Sequence, residues 1–87
     1  MAILIECDSR KLKVVWPKNY KTFKLEELQG FVGRFIELYY LTDDEVLILN
    51  EEGAIENLPI NYPASFIAGF CLRGNVLYCN PKEIEWE

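Results

Sequence analysis

Eighty-seven residues, 51% hydrophobic and 26% charged, make one small globular domain and exclude a disordered chain. A net charge of -5 argues against a binder of duplex nucleic acid, and the absence of histidine removes the commonest general base and metal ligand. Three cysteines without CxxC spacing argue against a disulfide framework and for reduced thiols.

Residues 2–7 read as a strand rich in Ile and Leu, too short and without the cleavage site of a signal peptide. Residues 11–16 read as a second strand with Leu12, Val14 and Trp16 on one face, stopped by Pro17-Lys18-Asn19. A short helix is predicted over 24–32, because Leu25, Leu28, Phe31 and Val32 recur at helical spacing. Thr22 is its expected N-cap, Glu26 and Glu27 suit its first turn, and Gly33 ends it.

Residues 34–41 are dense in β-formers. Phe35, Glu37, Tyr39 and Leu41 face one way and Ile36, Leu38 and Tyr40 the other. A strand apolar on both faces is central in its sheet or pairs across a subunit contact. Thr42-Asp43-Asp44 turns the chain into a strand over 45–49, and Asn50-Glu51-Glu52-Gly53 turns it again, with Gly53 expected in a left-handed position. Asn61 caps and Pro63 opens a helix that runs to Ala68 and ends at Gly69. The last strand is 76–79, and Asn80-Pro81 opens a final turn. Cys71 and Cys79 sit in apolar runs and read as core residues. The order ββαββαβ predicts a single α+β domain over residues 1–87, with a small, mostly antiparallel sheet and short helices on one face.

Charge is unevenly spread. Residues 1–34 carry seven basic and four acidic side chains, whereas residues 35–87 carry two basic and ten acidic ones. The stretch SRKLKVVWPKNYKTFK, residues 9–24, holds six Lys or Arg and no acid, interleaved with Trp16, Tyr20 and Phe23. Arg10, Lys13, Lys18, Lys21, Lys24 and Arg34 are candidates to hold phosphate, and Trp16, Tyr20 or Phe23 to stack a base. The plain alternative is a solvated surface. Long nucleic acid is disfavoured because the acidic part would repel it. Asp43, Asp44, Glu45, Glu51, Glu52 and Glu56 offer an acidic surface against a basic partner. Glu37, between Phe35 and Tyr39, is a candidate for a buried acid, although such a Glu more often lies at a sheet edge or pairs with Arg.

From Leu25 onward the chain resembles a family of uncharacterised small proteins of phages and mobile elements. The likeness lies in LEELQGFVGRFIELYYL, VLILNEEGAIENLPIN, Ala64 and RGNVLYC, and Gly33, Asn50, Gly53, Leu58, Pro59, Asn61 and Gly74 match the family pattern. Arg34 departs from it, standing where the family has a second glycine, and the N-terminal hairpin is unusually basic. The resemblance implies an accessory protein of a phage or mobile element, and many such proteins oppose host defences. It assigns no activity and no catalytic residues.

The resulting expectation is a non-enzymatic binder that sequesters a small nucleotide-like immune signal in a pocket at a subunit contact. Its ligand residues are Arg10, Lys13, Trp16, Lys18, Tyr20, Lys21 and Arg34. Tyr39 and Tyr40 form the contact of a homo-oligomer, and no catalytic residue, metal or cofactor is assigned. The alternatives are an acidic inhibitor of a host defence protein and a structural oligomer without ligand. No apolar run reaches the roughly 20 residues of a membrane span, so host-cell cytoplasm is the expected location.

Overall fold

The computed structural model describes residues 1–8 and 11–85. Strands β1 (Ala2–Ile5), β2 (Leu12–Val15), β4 (Ile36–Thr42), β5 (Glu45–Asn50) and β6 (Val76–Cys79) form one sheet in the order β2-β1-β6-β5-β4. Every pairing in it is antiparallel. A two-residue strand, β3 (Phe23–Lys24), leads into helix α1 (Leu25–Val32) and pairs in parallel with β7 (Ile84–Glu85). Helix α2 spans Tyr62–Ala68, and a single 3-10 turn covers Pro81–Glu83. The expected α+β class and mostly antiparallel sheet are present, and the element order roughly follows expectation, with the short strands β3 and β7 added.

Alternation along the strands sorts the core into two layers. Ala2, Leu4, Val46, Ile48, Leu77 and Cys79 face α1, whose Leu28 and Val32 complete that layer with Phe23. Their neighbours Ile5, Leu47, Leu49 and Val76 face the other way and pack with Ala64 of α2 and with Leu72. The helices therefore cover opposite faces of the sheet, not the one face that the sequence suggests. A helix cannot be assigned to a face from its own stripe, because both faces of β5 and β6 are apolar.

Of the two positions open to residues 34–41, the interior of the sheet is taken by β5 instead. β5 is buried on both faces from Val46 to Leu49, while β4 lies at the edge with Glu37, Tyr39 and Tyr40 exposed. The unbroken run Val46-Leu47-Ile48-Leu49 is the signature of a strand covered on both sides. Glu37 is consequently exposed on an edge strand and is no buried acid.

Asn61 fastens α2 to the sheet. Its fully buried amide donates from Nδ2 to the carbonyls of Ile5 and Gly74, each at 2.9 Å, and its Oδ1 accepts from Ala64 N at 3.2 Å. The helix ends at Gly69, left-handed at φ 85°, as expected. Gly53, by contrast, does not take the left-handed conformation expected of it; of the glycines, only Gly33, Gly69 and Gly74 have positive φ. Close packing accounts for Gly53: a Cβ there would sit 2.9 Å from the Arg73 carbonyl oxygen. Cys79 is buried, and burial pushes its thiol up to about 12. Cys71, expected in the core, is exposed just beyond α2.

Candidate functional site

The chain leaves β2 at Trp16 and reaches β3 through a tight turn built by local polar contacts. Pro17 is buried, and its carbonyl accepts from Tyr20 N at 2.9 Å. Tyr20 takes φ 62°, and Asn19 Oδ1 accepts from the N–H groups of Lys21 and Thr22 at 2.8 and 2.9 Å. Lys24, not Thr22, is the N-cap of α1. The Thr22 hydroxyl instead donates to Glu85 Oε2 at 3.0 Å.

Glu27 joins this turn to the helix. Its carboxylate accepts from Lys18 N at 2.9 Å and from Lys24 N at 3.1 Å. These bonds, with the Lys18 N–H foremost, hold its carboxyl below the usual carboxylate value. The second is the return half of a capping box, in which the third helical residue reaches back to the N-cap.

Between the turn and α1 lies a cleft of about 540 Å³, lined by Trp16, Lys18, Lys24, Glu26, Glu27, Gly30 and Phe31. Trp16 is 57% exposed, so its indole is offered to solvent at the cleft, not spent on the core. Phe31 is anchored from behind by Phe23, edge to face at 6.0 Å between centroids. Two lysines and two glutamates line the space. With Glu27 engaged by backbone N–H groups, the lining suits an aromatic ring carrying one anionic group better than a polyphosphate chain.

Of the predicted ligand residues, Trp16 and Lys18 line the cleft, together with Lys24. Lys13 stands apart on β2, with its ammonium 3.9 Å from Glu6. Tyr20 and Lys21 are exposed on the turn but do not line the cleft. Arg34 lies past the far end of α1, its guanidinium 5.4 Å above the Phe35 ring. Arg10 falls outside the described residues. The sequence reading missed Glu26, Glu27, Gly30 and Phe31 as cleft residues. The Lys24-to-Glu27 capping spacing was the available signal for Glu27, whereas Phe31 was indistinguishable from the core stripe of its helix.

Tyr39 and Tyr40 project to opposite faces, since Tyr39 pairs with Leu47 and Tyr40 with Val46. Tyr39 meets Phe70 edge to face at 5.0 Å. Neither tyrosine lines the cleft. The carboxylates are likewise divided: Asp43 and Asp44 lie in the turn before β5, and Glu51, Glu52 and Glu56 lie beyond its other end.

A family model, the domain of unknown function DUF3846, matches residues 1–86. The chain belongs to this family. The match takes in the basic N-terminal hairpin and the Trp16–Lys24 turn, which the resemblance noted from Leu25 onward leaves out, so the whole cleft lies within the DUF3846 domain. No curated protein and no solved structure matches the chain. No helix among the described residues is long and apolar enough to cross a membrane.

Proposed function

We propose that this DUF3846 chain is a non-enzymatic binding protein whose Trp16–Phe31 cleft takes a small nucleotide-like ligand. The observation that carries the reading is the convergence of an exposed indole, a second aromatic ring and two lysines, Lys18 and Lys24, on one cleft. Stacking of a base on an aromatic side chain contributes about 1–3 kcal/mol, and a nearby ammonium supplies a charge-assisted bond to phosphate. Binding rather than catalysis is supported by Glu27. A carboxylate held ionised by two N–H donors is a weak base near neutral pH.

In the phage or mobile-element setting that the resemblance implies, the role is counter-defence: the protein withdraws a nucleotide immune signal in the host cytoplasm. The acidic-inhibitor reading is less well supported, because its carboxylates are split between the two ends of β5.

Native mass measurement of protein purified directly from its cells tests the reading. The expected result is a small molecule bound to the chain whose release spectrum shows a nucleobase. Protein that emerges empty and also fails to take up any member of a mononucleotide and cyclic-nucleotide panel overturns it.

A further inference from the structure

The sheet face under α2 is only partly covered. Residues 57–72 hold no charged side chain, in a chain that is 26% charged overall. On α2, Phe66 is 90% exposed, Tyr62 57% and Ile67 44%; Leu12 and Val14 on the neighbouring edge strand are 65% and 55% exposed. Register places Leu12 and Val14 on this face, opposite Ile5 and Ile3. Beside α2 runs a groove of about 650 Å³ lined by Ile3, Ile5, Leu12, Leu41, Ile67 and Tyr78, with the Glu45 carboxylate as its charged lining group. The Tyr78 hydroxyl donates to that carboxylate.

The geometry points to a second copy of this chain as the occupant of this face, in a two-fold dimer that seats each Phe66 in the other copy's groove. Phe66 and Ile67, one of the residues that line the groove, are successive residues of α2, so one helix carries the projection and borders the recess. That arrangement is self-complementary. A two-fold axis beside α2 satisfies both halves at once and closes the assembly at two chains.

The area fits as well. The exposed parts of Leu12, Val14, Tyr62, Phe66, Ile67 and Phe70 amount to on the order of 700 Å². A stable interface takes about 800 Å² from each partner. Charge argues against an anionic bilayer, because this face carries no Lys or Arg on α2 and the chain is net -5. The inference is independent of the nucleotide cleft, which shares no lining residue with this groove.

Sedimentation of the full chain, with Phe66→Lys, Leu12→Lys and Tyr40→Lys variants, tests it. Wild type is expected to sediment as a dimer of the 10.2 kDa chain. Phe66→Lys, at a side chain 90% exposed, should keep the wild-type circular dichroism while raising the dimer Kd at least about 30-fold. Leu12→Lys should do the same and serves as the reading should Phe66→Lys fail to fold. Tyr40→Lys, on the α1 face, should remain dimeric. A monomeric wild type overturns the inference, as does a Phe66→Lys and Leu12→Lys pair as dimeric as wild type. So does a monomer that pellets with phosphatidylcholine vesicles, which would make a bilayer the occupant.

Discussion

Glu27 reaches back across nine residues to accept the backbone N–H of Lys18 at 2.9 Å. Because the same carboxylate also accepts from Lys24 N, one side chain fixes both the start of α1 and the turn that forms the cleft's other wall. Glu27→Ala is expected to destabilise the fold by about 1 kcal/mol, the usual cost of a lost cap. The effect has a defined pH dependence. A carboxyl depressed below its ordinary value of 4.5 contributes its stability above that pH and loses it as pH falls through the folded value. Urea melts of wild type and variant should therefore differ by a constant amount from neutrality down to about pH 5, then converge in more acidic solution.

Asn61 offers the sharpest test of the core. Replacing it by Ala strands the Ile5 and Gly74 carbonyls and removes the α2 cap, for an expected loss of about 2–4 kcal/mol. Asn61→Asp points a carboxylate at two carbonyl oxygens. It should be less stable still at neutral pH and recover in acid as the carboxyl becomes a donor. Thermal melts of the two variants at neutral and acidic pH check the order.

Gly53 and Gly30 should respond in opposite directions. A Cβ at Gly53 meets the Arg73 carbonyl oxygen at 2.9 Å, so Gly53→Ala is expected to cost about 1–3 kcal/mol through displaced backbone. At Gly30, inside α1, a Cβ meets nothing within 4 Å, and Gly30→Ala should stabilise the helix by roughly 0.5–1 kcal/mol. Gly30 also lines the cleft, so the same methyl should weaken ligand binding while raising the melting temperature.

The thiols should separate kinetically. Cys71 is exposed, whereas Cys79 is buried with its thiol pushed up to about 12. Iodoacetamide is expected to label Cys71 in the folded protein and to reach Cys79 only in denaturant. Peptide mapping after a timed reaction checks the order.

Much of the fold was legible because its signals are local. The β4–β5 hairpin, the Asn61 cap with Pro63, the Gly69 stop and the Asn80-Pro81 turn each depend on a few adjacent residues. What could not be read is what long-range pairing decides. β6 lies between β1 and β5, so β5 is interior and β4 is at an edge, and α2 packs on the face opposite α1. Gly53 illustrates the limit: its sequence context suits a turn that needs positive φ, but its requirement comes from Arg73, twenty residues away. The site divides in the same way. Trp16 and Lys18 stand out in a basic, aromatic run, but only folding shows that α1 supplies the opposing wall and that Lys13 and Arg34 point elsewhere.

The most direct test of the cleft is a fluorescence titration. With Trp86→Phe as background, Trp16 is the only indole in the chain. Mononucleotides and cyclic nucleotides are titrated into this protein and into the same protein carrying Lys18→Glu and Lys24→Glu. The account expects saturable quenching by at least one nucleotide, weakened at least about tenfold by the double charge reversal and by rising salt. Quenching that is absent across the whole panel, or equally strong in the charge-reversed protein, would contradict it.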